Sequence, residues 1–161
     1  MPFLVECTPD YTLVEVLTYA SKSDIVHAGN KSEVIKALVR HYENSKGIVD
    51  EDPGSAQPRY LHEFTGEKVF ENYSIKVLQY PSRNNYLIIL CPRLEDWVLQ
   101  AARRSNVDVR SYGLPNDSSR LHKRINIQVN RFERLLRDLM RRSGWLKFLA
   151  SVLRCETIDL T

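Results

Sequence analysis

Residues 23–50 read "SDIVHAGNKSEVIKALVRHYENSKGIVD", and their punctuation decides the architecture. The apolar run around Ile25 and Val26 stops at Gly29-Asn30, a turn pair. Val34, Ile35, Leu38, Val39 and Tyr42 then recur at helical spacing, and a second β-branched run ends on Asp50. Strand, helix and strand in so short a span predict a β-α-β unit, in which the helix carries the chain back so that the two strands run parallel.

The same alternation extends outward in both directions. "FLVEC" (3–7) reads as an earlier strand, and "TPDYTLVEVLTYA" after it carries a helical apolar face at Leu13, Val14, Val16 and Leu17, with Thr8 or Asp10 as its expected cap. Downstream, "RYLHEF" suggests a short helix, while "YSIKVLQY" (73–80) and "NYLIILC" (85–91) are strands divided by the turn-forming "PSRNN". "RLEDWVLQAARR" (93–104) is a further helix. One long amphipathic helix is expected from about Ser118 to Arg142. Leu121, Ile125, Val129, Phe132, Leu136 and Leu139 would share its inner side, opposite Arg120, Arg124, Arg131, Arg134, Arg137 and Arg141, and Gly144 would stop it. "WLKFLASVL" would return to cover the core, which should hold Trp97 and Trp145.

The strands are continuous apolar runs, as strands buried on both faces must be. The expectation is therefore an α/β fold: a mainly parallel, Rossmann-like sheet of 4–5 strands with helices on both faces and a helical C-terminal extension. Residues 1–161 would form one domain, with 3–100 as the core and 101–161 packed on it, since this length suits one domain better than two. The longest apolar run, "YLIILC", is far below the roughly 20 residues that cross a bilayer, and no signal-peptide pattern opens the chain. Cys7, Cys91 and Cys155 are odd in number and widely spaced, which fits neither a disulfide framework nor a zinc site. A soluble, cytoplasmic protein with no membrane partner is expected.

The net charge of +3 conceals an asymmetry. Residues 1–100 carry ten Lys/Arg against fourteen Asp/Glu, and residues 101–161 carry thirteen against six. Basic helices late in the chain can serve a phosphate backbone or remain a solvated surface. The acids early in the chain are more pointed. Ligands of open α/β sheets lie beyond the carboxyl ends of the strands, and Glu6, Asp50 and Asp52 fall at such ends. Asp50 and Asp52, two apart in an extended or turning segment, face one side while Glu51 faces away, and Pro53-Gly54 supplies the exit. Several converging carboxylates repel each other unless a hard cation lies among them, although "DEDPG" by itself can equally be a solvated polar turn.

Those residues carry a family resemblance. "ECTPD" after a first strand and "VDEDPG" after a third resemble the Toprim domain, the metal-binding module of topoisomerases, bacterial primases and several nucleases, which shows E-G-x-x-D and D-x-D-x-x-G at these places. Glu6, Asp10, Asp50 and Asp52 match. Cys7 stands where the family has glycine, and Gly54 comes one position early, with Ser55 in its place. "LCPRLEDWVL" (90–99) is similar to a segment of small stand-alone Toprim-like proteins and makes Glu95 a candidate fourth acid, or else a first-turn carboxylate favoured by the helix dipole.

The resemblance implies Mg²⁺ or Mn²⁺ held by Glu6, Asp50, Asp52 and Glu95, with Glu6, Asp50 and Asp52 catalytic in phosphodiester cleavage. Nucleic acid, DNA or RNA, would be the substrate, and a partner protein such as an ATPase is often required by related nucleases. Lys31 at a helix start and Arg124, Arg131 and Arg134 on the late helix are the substrate-binding candidates. A topoisomerase or primase needs more chain than this. The alternative is a non-catalytic Toprim-like module that binds nucleic acid or protein; a response-regulator-like phosphoacceptor fits less well, because its paired acids would follow the first strand. His27 is expected as a satisfied core histidine, and His41, His62 and His122 have no partner at metal-ligand spacing.

Overall fold

The computed structural model describes all 161 residues. Six strands, β1 (Phe3–Val5), β2 (Ile25–His27), β3 (Lys46–Asp50), β4 (Thr65–Phe70), β5 (Ile75–Tyr80) and β6 (Asn85–Leu90), form one sheet in the order β2-β1-β3-β6-β5-β4. The first four in that order are parallel, and β5 and β4 add antiparallel to β6 and to each other. The six helices are α1 (Thr8–Thr18), α2 (Lys31–Arg40), α3 (Leu94–Arg104), α4 (Ser118–Ile125), α5 (Val129–Arg142) and α6 (Gly144–Arg154).

Side-chain alternation divides the core in two. Phe3, Val5, Ile48, Tyr86, Ile88 and Leu90 face one side of the sheet and join a cluster with α1 and α3 through α6; Leu4, Val49, Leu87 and Ile89 face the other and join a smaller cluster under α2. Gly47 is what lets α2 lie so close. A methyl group there would stand 2.7 Å from Val34 Cγ1 and 2.8 Å from Leu38 Cδ1. With α1 on one face and α2 on the other, the chain changes direction between β1 and β3. Such a switch point opens a crevice at the carboxyl ends of those strands.

The α/β class, the mainly parallel sheet and the helices on both faces agree with the sequence reading. The sheet has six strands rather than 4–5, because "TGEKVF" forms β4 at the edge, mostly exposed and without a regular apolar alternation. The expected helix 118–142 is two helices. It breaks at Asn126–Gln128, leaving Ile127 80% exposed, so that Leu121 and Ile125 pack with α3 while Phe132, Leu135, Leu136 and Leu139 pack with α1. Gly144 opens α6 rather than stopping α5. Ser143 ends α5 and caps α6, its Oγ accepting from the Trp145 and Leu146 amides. Cys7, and neither Thr8 nor Asp10, occupies the cap position of α1. His27 is exposed and stacks on Tyr11 at 4.8 Å, because β2 is an edge strand whose last residue lies past the core. Trp97 and Trp145 are buried as expected.

Lys46 was not singled out by its sequence, yet it is fully buried at the start of β3. Its ammonium donates to the carbonyls of Val152 (2.7 Å), Leu153 (3.0 Å) and Cys155, the carboxyl end of α6. The positive charge meets the negative end of the helix, and three otherwise orphaned acceptors are satisfied. Burial holds the Lys46 pKa below its ordinary value. No helix is long and apolar enough to cross a membrane.

Candidate functional site

A cleft of about 520 Å³ lies at the carboxyl ends of β1, β3 and β6. Glu6 and Cys7 enter it from the end of β1, Asp50 and Asp52 from the end of β3, and Glu95 from the first turn of α3. Asp10, in the first turn of α1, forms part of its floor and is 3% exposed. The fourth wall is α4, through Ser118, Ser119, His122 and Lys123. A second recess of about 350 Å³ continues past Glu6, Asn30 and Asp52 to the start of α2.

Local folding explains how the acids are held. The Glu51 amide donates to Leu90 O and the Asp52 amide to Pro92 O, so the end of β3 stays zipped to the end of β6 beyond the strands. Asp52 takes a left-handed backbone (φ 49°), which aspartate tolerates better than most residues, and Gly54 (φ 89°) completes the exit. Glu51 turns away as its spacing predicts and pairs with Lys76 at 2.5 Å. Glu6 reaches across: its Oε2 accepts from the Asp50 amide at 3.2 Å. Asp50 Oδ1 accepts from the Leu94 amide at 2.9 Å, which caps α3. Asp10 Oδ2 accepts from the Cys7 thiol at 3.2 Å.

No lysine or arginine forms an ion pair with Glu6, Asp10, Asp50 or Asp52; the pairs in the molecule engage other acids. None of the four is in an ion pair, and burial together with the crowding of acids raises the pKa values of Glu6, Asp10 and Asp50. Burial, reinforced by Asp10, Glu6 and Glu95, pushes Asp50 up to about 8. Burial and then the Glu6 charge push Asp10 up to about 7. Glu6 is also raised, by burial first and by Asp52 and Glu95, against the opposing bond from the Asp50 amide and the charge of Lys31. Although Cys7 is exposed, desolvation by its neighbours and the Asp10 carboxylate beside it hold its thiol far above the usual range, so it stays protonated.

The sequence candidates divide. Glu6, Asp50, Asp52 and Glu95 share the cleft, with Asp10 beneath them. Lys31 does not reach it: its ammonium donates to Glu51 O (2.9 Å) and Gln57 Oε1 (2.8 Å), which ties α2 to the turn after β3 and places Lys31 in the adjoining recess. Arg124, Arg131 and Arg134 lie outside the cleft, exposed on α4 and α5, and Arg131 donates to Gly113 O at 3.1 Å. The cations lining the cleft are Arg93 and Lys123. His122, which has no partner at metal-ligand spacing in the sequence, bonds through Nδ1 to Glu95 Oε1 at 2.7 Å. No sequence spacing could reveal that pair, because α3 and α4 meet only through the tertiary fold.

The donor chemistry suits a hard divalent ion: several carboxylate oxygens, little charge compensation and a confined cleft. As the side chains stand, no three His, Cys, Asp or Glu residues are gathered closely enough to hold one. Binding would require these carboxylates to draw together. Comparison with protein-family models, with curated proteins and with solved structures finds no match.

Proposed function

We propose that this chain is a Toprim-like, metal-dependent phosphodiesterase acting on nucleic acid, with Glu6, Asp50 and Asp52 as the ligands of a divalent cation, Mg²⁺ or Mn²⁺. One observation carries the reading: Glu6, Asp50 and Asp52, with Asp10 beneath them, line one cleft at the switch point of an open parallel sheet, and none of them is in an ion pair. Uncompensated buried charge is costly, and a site that tolerates it is a candidate for function. The E-x-x-x-D and D-x-D motifs supply these acids, and their place in one cleft supports the reading that the resemblance suggests.

A bound divalent ion would polarise a phosphoryl oxygen and lower the pKa of an attacking water. The chain's own residues do the rest. Arg93 and Lys123 on the rim offset the negative field of the acids and draw a phosphate toward them. The recess at the start of α2 gives the neighbouring part of a strand somewhere to lie, beside Lys31 and Ser32. The exposed arginines of α4 and α5 add an attraction that weakens as salt rises.

The test is cleavage of labelled single- and double-stranded DNA and RNA with Mg²⁺ or Mn²⁺. Activity lost in both Asp50→Asn and Asp52→Asn, with melting unimpaired, supports the proposal. The second reading, a binding module without catalysis, draws on the absence of a ready-gathered ligand set. It gains if the protein retards nucleic acid but cleaves none with either metal.

A further inference from the structure

Glu95 and His122 do something that the three-acid reading does not use. Glu95 is 5% exposed, so this carboxylate is held in place by the packing of α3, and its charge bears on Glu6, Asp10 and Asp50. One of its oxygens is taken by His122 Nδ1 at 2.7 Å, and the other has no protein donor. His122 is the opposite kind of residue: its side chain is 69% exposed, on the wall of the same cleft. A surface histidine anchored by a deeply buried glutamate is an asymmetric pair. As an ion pair it would bring little stability, since the histidine is solvated. It does fix the imidazole. With Nδ1 engaged by Glu95, Nε2 is the ring nitrogen without a partner in the protein. A carboxylate orienting one imidazole nitrogen while the other stays free is the arrangement that supports metal-bound histidines.

Resting on the three-carboxylate reading above, we propose that His122 Nε2 joins Glu6, Asp50 and Asp52 as a ligand, with Glu95 as its positioning partner. The centre then selects a first-row transition ion such as Mn²⁺ or Zn²⁺ over Mg²⁺. The chemistry follows from the donor. All-oxygen sites suit Mg²⁺, which dehydrates reluctantly, whereas an imidazole nitrogen adds affinity for transition ions and little for Mg²⁺. Contributing the nitrogen from α4 also draws the fourth wall toward the acids, so metal binding couples α4 to the sheet edge.

The test is calorimetric titration of the full chain with Mg²⁺ and with Mn²⁺, for the unaltered protein, His122→Ala and Asp50→Asn. A separate NMR readout, independent of any cleavage, is the ¹⁵N resonance of His122 Nε2 during titration with Zn²⁺. The expected result is that His122→Ala weakens Mn²⁺ about 10- to 100-fold and leaves Mg²⁺ unmoved, that Asp50→Asn weakens both, and that the Nε2 resonance moves as the metal is added. Because His122 is exposed, its removal should not unfold the chain; a melting curve checks this. If Asp50→Asn weakens metal binding while His122→Ala does not, and Nε2 stays put, the histidine proposal is overturned and the carboxylate centre stands. If no divalent ion binds, or Asp50→Asn also changes nothing, both fall.

Discussion

Replacing Asp50 by asparagine should make the metal-free protein more stable above neutral pH. The amide oxygen can still accept from the Leu94 amide at 2.9 Å, so the cap on α3 survives while the charge goes. The folded protein raises Asp50 from 3.8 to about 8. A group whose folded pKa exceeds its unfolded value contributes fully below the unfolded pKa, and that contribution is lost as pH rises through the folded one. The advantage of asparagine therefore grows between about pH 4 and 8 and levels off above. A lone carboxyl displaced that far would cost about 6 kcal/mol at 1.36 kcal/mol per pH unit. Asp10 is the largest cause after burial, and each acid relieves its neighbours when it takes a proton, so only part of that cost, on the order of 2–3 kcal/mol, belongs to Asp50 itself. For a chain of this size that is about 5–10 °C in melting temperature. The assay is differential scanning calorimetry in chelator at pH 5 and pH 9, repeated with excess Mn²⁺. With metal the order should reverse, since an ion bound only by the folded state stabilises it. A variant no more stable than the parent at pH 9, or a difference that ignores pH, would refute the picture of crowded, uncompensated acids.

Gly47→Ala should destabilise by about 1–3 kcal/mol, read by urea denaturation, because its methyl would stand under 3 Å from Val34 and Leu38 in the core. Lys46→Met should cost about 2–4 kcal/mol and speed hydrogen exchange at the end of α6, where three carbonyls lose their donor. Ser143→Ala should cost about 1 kcal/mol through loss of the α6 cap, measured by thermal melting. Glu51→Gln serves as a control: it points away to Lys76, a partly exposed pair, so metal binding should be unchanged and stability should fall by less than about 1 kcal/mol.

Much of the parallel half was legible because its local and global signals agree. The runs at Phe3, Ile25, Ile48 and Tyr86 are apolar on both faces, and the helices between them carry apolar residues at 3.6 spacing. The edge was not legible: β4 buries little, so its residues had no need of a pattern. The break at Asn126–Gln128 was hidden because apolar periodicity runs through it; only the different partners of the two halves, α3 and α1, separate them. In the site, Glu6, Asp50 and Asp52 could be placed from strand ends alone. Arg93, Lys123 and the Glu95–His122 pair could not, because α4 reaches the cleft after a long intervening loop and nothing local announces where it will lie.

The most direct test is a crystal of the chain soaked in Mn²⁺ and measured at the manganese absorption edge. The account predicts an anomalous peak in the cleft with carboxylate oxygens of Glu6, Asp50 and Asp52 drawn to within about 2.0–2.3 Å of it. A cleft without a peak, or one in which Lys123 or Arg93 has turned inward to pair with those acids, would contradict it.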